Sequence, residues 1–482
     1  MHMMNKILVG LALLLTTTVV YGQDAVLLRP KVGQSLKGAA ILKKMGYAQD
    51  SKPVSIDLGV LEKADTLELQ FDNKVFRVVR AHFTIRDDND LSYSANSTKG
   101  NGGIVISVLG DDIQGIIYTG VNIYGIITTS SGEYAVVKTD PGQYPEEDCG
   151  TEEEEHGVLN GILQEKAATI SNSPGNANSA FLQGEEEGTD CKIRVLVLYT
   201  PAAEAGSSNI ENNIRNKVDV TNQSFRNSGI NYEIELVYIG RTDYTEQEKN
   251  STDLHNFAYN NDGYMDEVFD LVEIYSADIK VLINDPVPST CGISYTGGKS
   301  CVVNYGCDYN FTFTHEIGHA LGCIHDRYTA SNDASYNHGF VYVPDKWRTI
   351  MAYNGECKAA GVSCTRLLYW SNPENTYNGV PMGTELYEDC ARVWNENSEA
   401  KMQIRQPQDS VSLSYSNMYG MFHADILAKQ TIATTDSLSI PSGSTVSMKA
   451  GARISLGTGF RASGVAGLKA TLGTVTNCGT GN

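Results

Sequence analysis

Residues 314–326 read THEIGHALGCIHD, and no other stretch restricts the chain so tightly. It holds histidines at 315, 319 and 325, with Glu316 beside the first. His315 and His319 stand four residues apart, so on a helix they stack on one face about one turn apart. Two imidazoles placed that way can hold one Zn²⁺. Glu316 follows on the same turn and can reach a metal-bound water without itself being a ligand. Gly322 ends the helix, because glycine takes the left-handed conformation of a helix C-terminus at least cost. The chain then turns and returns His325 as third ligand. Three protein ligands leave one tetrahedral position for water, which separates a catalytic zinc site from a closed structural one. An ordinary amphipathic helix can carry the HExxH residues alone; it has no need of Gly322 and His325 at their offsets.

The rest of the composition says where such a site would work. A chain of 482 residues has room for about two to four domains. A net charge of −20 and a pI near 4.9 argue against nucleic acid or an anionic membrane as partner. The start, MHMMNKILVGLALLLTTTVVYGQDA, has the parts of a signal peptide: Lys6, an apolar run from Ile7 to Val20, and Gly22 at the cleavage position. Residues 1–22 are therefore expected to be removed and the protein secreted to the extracellular space. No later run is long and apolar enough for a membrane span. Export makes the ten cysteines candidates for disulfides, and no CxxC pair suggests a cysteine metal site. Cys357 with Cys364 is the best local pair. Cys149 has two open readings: a disulfide with Cys191, or a thiolate that blocks the metal.

Composition shifts divide the chain. Residues 23–148 alternate apolar and polar side chains between Gly, Asp-Asn and Ser-Gly turn signals and read as β-rich. Residues 149–190 hold EED, EEEE and EEE runs with SNSPGNANS, an acidic linker open to cleavage. Residues 191–405 read strand, helix, strand, helix, strand, then two short strands and the histidine helix, with a last helix over 386–404. A linker is expected over 406–425. Residues 426–482 have short alternating runs broken by SG, AG and GTG, expected as a separate stacked β module with rungs about ten to fifteen residues apart.

The pattern H-E-x-x-H-x-x-G-x-x-H, followed by RTIMAY with Met351, resembles the metzincin signature and its Met-turn. RVLVLYTPAA, CGISY, HEIGHALGCIHD with Asp326, and YWSNPENTYNGVPMGTELYEDCARVWNEN resemble the reprolysin (adamalysin-like) metzincins, in particular their secreted bacterial relatives. Residues 23–148 resemble the propeptide of such enzymes. GARISLGTGFRASG resembles the small C-terminal β-stack modules of secreted bacterial proteins. The resemblance implies an α+β multidomain protein whose catalytic domain has a twisted mixed sheet with the zinc helix beneath it. It also implies a zinc endopeptidase made as a zymogen, acting on protein or peptide substrates. Tyr353, two residues after Met351, looks more like the astacin and serralysin turn, and either touches the metal or packs under it.

The expected chemistry follows from these parts. His315, His319 and His325 bind Zn²⁺, Glu316 is the general base, and Met351 floors the site. A strand near 293–305 would pair with an extended substrate. The C-terminal module would engage a surface or glycan and be dispensable for hydrolysis. Two rival readings are a non-catalytic adhesin with a vestigial domain, and a structural zinc site. The second needs a fourth ligand; His338 is the nearest histidine and reads as a loop residue.

Overall fold

The computed structural model describes residues 25–31, 48–87, 89–140, 151–153, 191–285, 290–330, 335–418, 420–435, 438–462 and 467–478. The expected signal peptide, Cys149 and all of the acidic linker except 151–153 lie outside the described residues. No helix among the described residues is long and apolar enough to cross a membrane.

The β-rich segment closes into a barrel of nine strands, from Ala25–Pro30 to Tyr134–Thr139. Closure removes the exposed edges that an open sheet of this length would present. TLELQFDNKVFRVVRAHFTI is a hairpin, with strands Thr66–Phe71 and Lys74–Asp87. The chain reverses at Asp72 and Asn73, whose φ values of 48° and 57° suit the two-residue turn that matches strand twist. Leu67, Leu69, Tyr93, Ile104, Ile106 and Ile117 fill the interior.

Beyond the linker, Ile193–Tyr199 lies between Ile234–Arg241 and Ile279–Asn284, all parallel; Ser300–Asn304 continues the parallel set. Gly292–Thr296 is antiparallel to Ser300–Asn304 and borders the histidine helix. Every residue of Ile193–Tyr199 is buried, as a strand covered on both faces requires. Its alternation sorts the helices. Val195, Val197 and Tyr199 join Ile214, Val218, Phe225 and Ile317 of the long helix Ile210–Ser228 and the histidine helix Thr312–Ala320. Leu196 and Leu198 join Leu254, Phe257, Val268 and Leu271 on the opposite face. The helix Asn250–Ala258, which supplies two of these, was not foreseen from spacing; its sequence NSTDLHNFA has too little apolar periodicity.

The long helix carries an apolar stripe and a polar face, and both are buried. The barrel covers the polar face with matching groups. Arg215 pairs with Asp90 at 2.8 Å, Arg86 with Asp219, and Ser107 Oγ donates to Asp219 at 2.5 Å. Asn212 Nδ2 donates to Asp112 at 2.7 Å and Ser94 Oγ to Gln223 at 2.5 Å. The contact has an apolar share as well, for Val105, Ile116 and Ile127 of the barrel join one core with Val220, Tyr309, Phe311 and Phe313.

The C-terminal region departs from expectation. The supposed linker 406–425 contains strand Gln408–Leu413 and the start of Met421–Thr434. Met421–Thr434 pairs antiparallel with Ile234–Arg241, Tyr238 opposite Ala424 and Ile239 opposite His423. The sheet therefore runs on into the stack. His423, Thr445 and Gly467 stand in register, so the step is 22 residues (445 − 423 and 467 − 445), longer than the turn signals suggested. A disulfide joins Cys191 to Cys478. Cys191 is thus not the partner of Cys149. Cys357–Cys364 forms as expected, and Cys291–Cys307 is a third bridge.

These contacts reverse the view of the stack as dispensable. Met421, Ala424, Ile426, Val446 and Met448 share one core with Leu196, Leu198 and Val237. Each large apolar side chain so buried contributes about 1.5–3 kcal/mol. A chain ending at residue 410 is expected to lose soluble secretion or to melt well below the full chain. A soluble monomer melting within about 4 °C of full length would show instead that the stack is an independent module.

Candidate metal centre and active site

The helix Thr312–Ala320 opens on Phe311, at φ 57°, and closes at Leu321 and Gly322, at φ 101°. A side chain at 322 would strain that conformation, so glycine is what lets the chain reverse and bring His325 back. The three Nε2 atoms form a triangle: 3.1 Å from His315 to His319, 3.1 Å from His319 to His325, and 3.3 Å from His315 to His325. The other ring nitrogens face outward. His315 Nδ1 donates to Ile350 O at 2.9 Å and His319 Nδ1 to Cys323 O at 2.8 Å. Those bonds put the Nε2 lone pairs of both rings toward the centre of the triangle.

All three rings are buried. Burial holds His315 and His325 well below the ordinary histidine range and takes His319 down to about 4; the charge of Arg366 acts in the same direction on each. Neutral imidazoles are the metal-binding form. Zn–N bonds of about 2.0–2.1 Å in a tetrahedron place ligand nitrogens about 3.3 Å apart. The triangle has that size, and converging lone pairs at this separation repel unless a cation lies among them. The donor set fits a tetrahedral ion.

Glu316 is fully buried beside the triangle. Space for its carboxylate comes from Gly292 on the neighbouring strand, where a Cβ would stand 2.6 Å from Oε1. Ser294 Oγ of the same strand donates to Glu316 O at 3.1 Å. Met351 lies beneath the helix as expected: a Cβ at Gly318 would meet its Sδ at 2.6 Å and Trp370 Cζ3 at 2.6 Å. The glycine inside HEIGH is therefore a packing requirement that the motif's spacing does not explain. Tyr353 packs its ring 4.0 Å from His325 and 5.8 Å from His315, centroid to centroid, and its N–H donates to Asp326 Oδ2 at 2.8 Å. Asp326 thus ties the end of the histidine motif to the Met-turn.

His338 is more than a loop residue. It is fully buried, and its Nδ1 donates to His325 O at 2.8 Å, which holds the backbone of the third ligand. Arg348 and Arg366 also went unnoticed in the sequence. Both are buried, and both donate to Ala352 O, next to Met351. Basic residues beside the Met-turn of an acidic chain were the available signal.

The strand Gly292–Thr296 has a neighbour on its outer side. Thr151–Glu153 pairs parallel to it, Thr151 opposite Ser294 and Glu153 opposite Thr296. The groove position expected for an extended substrate is taken by the chain's own segment.

The site makes distinct forecasts for ligand and base. His319→Ala is expected to lose nearly all bound metal. Glu316→Ala should keep a full equivalent, read by elemental analysis of the purified, refolded-free protein. Equal metal content in the two variants would remove the distinction.

The chain matches Metallo-peptidase family M12, of the reprolysin type, over residues 189–365. It is 36% identical over 231 residues to a peptidyl-Asp metalloendopeptidase of Stenotrophomonas maltophilia, covering 45% of this chain and 54% of that one. It is 34% identical over 164 residues to a peptidyl-Asp metalloendopeptidase of Pseudomonas fragi, covering 33% of this chain and 88% of that one. The chain spans about half the length of the first of these relatives and most of the second. Among solved structures, metalloproteinase-II of Bacteroides fragilis is similar at 12% identity and a TM-score of 0.36, over 60% of this chain and 85% of that one.

Proposed function

The chain belongs to the reprolysin-like metallopeptidases of family M12, and on that footing we propose that it is a secreted zinc endopeptidase made as a zymogen. The observation that carries the reading is the triangle of inward-facing Nε2 atoms with the buried Glu316 beside it, along a strand that can pair with an extended peptide.

His315, His319 and His325 would hold the metal, for which zinc suits both the three-imidazole donor set and the tetrahedral spacing. When bound, zinc supplies Lewis-acid polarisation of the scissile carbonyl and lowers the pKa of water. Glu316 takes the proton from the attacking water and delivers it to the departing amine. The strand Gly292–Thr296 aligns the substrate by main-chain hydrogen bonds. The name carried by the relatives, peptidyl-Asp metalloendopeptidase, makes an acidic side chain beside the cleaved bond the expected preference. Purified zinc-loaded enzyme should cleave peptides at aspartate and lose activity to a chelator. Glu316→Gln should lower kcat by about a thousandfold or more while metal is retained. A wild-type protein with full zinc that cleaves no peptide would refute the reading.

Two observations support latency. The segment Thr151–Glu153 lies along the strand meant for substrate, and the barrel sits directly on the catalytic part through ion pairs, hydrogen bonds and shared apolar packing. The disulfide reading of Cys149 with Cys191 falls away, because Cys191 is bound to Cys478. We assign Cys149, two residues before that segment, to the block itself. Uncleaved Cys149→Ala protein is expected to hydrolyse peptide at least about tenfold faster than uncleaved wild type, since a thiolate is a strong zinc ligand. Unchanged latency would leave the strand, and not the thiol, as the inhibitor.

A further inference from the structure

We propose that Cys323 and Cys390 are oxidised to a fourth disulfide as the chain folds, and that this bond clamps the supports of the metal ligands. The inference rests on the secretion part of the reading above and adds a covalent modification to that site.

Among the described residues Cys301, Cys323 and Cys390 carry free thiols, and all three are buried. Cys301 is occupied elsewhere, its Sγ donating to Glu316 O at 3.5 Å. Cys323 and Cys390 meet each other. Cys323 Sγ lies 3.9 Å from Cys390 O, and the two thiols stand within hydrogen-bond reach. One lies between His319 and His325; the other is the first residue of the last helix, Cys390–Met402. Burial is no bar to pairing, since Cys307 and Cys357 are 0% exposed and both are bridged.

The surroundings of the pair give the bond its role. Cys323 O accepts from His319 Nδ1 at 2.8 Å, so Cys323 orients one ligand ring. Cys390 Sγ lies 3.2 Å from Asn337 O and 3.3 Å from His338 O, and His338 Nδ1 donates to His325 O at 2.8 Å. Between them Ile324 N donates to Asn337 O at 2.9 Å, and Gly339 N to Ile324 O at 3.1 Å. The chain returning from Gly322 to His325 is thus held to 337–339 by hydrogen bonds alone. A bond from Cys323 to Cys390 would fix both supports to the last helix. Such outer partners govern how firmly a metal is held.

Closure is thiol–disulfide exchange with an external disulfide, R–S–S–R, as found in an oxidising compartment. One cysteine thiolate attacks it, forms a mixed disulfide and expels R–S⁻. The second thiolate attacks the mixed disulfide at the cysteine sulfur and expels the other R–S⁻. The two cysteines give up two electrons and two protons, and the external disulfide leaves as two R–SH.

The test starts from full-length protein recovered from the medium, unfolded with an alkylating reagent but no reductant, and mapped as peptides. A linked pair carrying Cys323 and Cys390 is expected. Both found alkylated, with Cys191 still joined to Cys478, would overturn the proposal alone. Cys191 and Cys478 alkylated as well would overturn it together with the reading of a secreted protein. The clamp is read separately, from the rate at which zinc-loaded protein yields its metal to a chromophoric chelator. Cys390→Ser keeps a donor for Asn337 O and His338 O and lacks only the bond. It is expected to lose zinc about tenfold faster than wild type, and a phosphine reductant should close that gap. Should this variant not fold, Cys323→Ser breaks the same bond from the other side. Equal rates without reductant would overturn the clamp. Wild type that holds no zinc would overturn the clamp and the peptidase reading together.

Discussion

Three neutral imidazoles with their Nε2 atoms 3.1–3.3 Å apart are the constraint around which the catalytic part is arranged. They can stay so close only if each ring is turned correctly and kept dry. Carbonyls of Ile350 and Cys323 orient two rings, and His338 holds the backbone of the third. Gly318 lets Met351 and Trp370 press against the helix from below, and Gly292 opens room for Glu316 from the side. These residues come from separate parts of the chain. The sheet, the helix and the Met-turn therefore have to be correct together for any one ligand to be correct.

The barrel illustrates a different use of burial. Its contact with the helix Ile210–Ser228 combines apolar packing, Ile116 and Val105 with Val220, with ion pairs and side-chain hydrogen bonds, and Arg215, Asp219, Asn212 and Gln223 are all buried under it. Polar pairing fixes orientation strongly and costs little when both partners return to water. The polar pairs thus set the orientation of a contact whose apolar share adds to its strength.

How much of this could be read from sequence depended on whether the signal was local. The histidine triad, Glu316, the helix end at Gly322 and the floor at Met351 follow from spacing along one helix and one turn. The strands around 193–199, 234–241 and 279–284 followed from apolar runs bounded by turns. What escaped was long-range. Nothing near Cys191 says that its partner is 287 residues away, and nothing near Met421 says that it extends an existing sheet. The repeat of the C-terminal stack was misjudged because its Gly-Ser turns occur more often than its rungs do. Buried arginines look like surface charge in one dimension; only their placement beside Ala352 makes Arg366 notable.

The bond between Cys191 and Cys478 has a consequence for timing. It makes the catalytic part and the stack a single covalent ring, with the histidine helix near its middle. Closing a loop of 287 residues removes about 5–6 kcal/mol of denatured-state entropy by the chain-entropy model. That stabilisation arrives late, since the ring cannot close until residue 478 has left the ribosome and met an oxidising compartment. Before the bond forms the polypeptide has loose ends and an unreinforced centre. Afterwards the strand Ile193–Tyr199 and the last turn of the stack are clasped together, so a nick inside the ring leaves both pieces joined. A metallopeptidase so built reaches its full durability only once the bond between its two ends has formed.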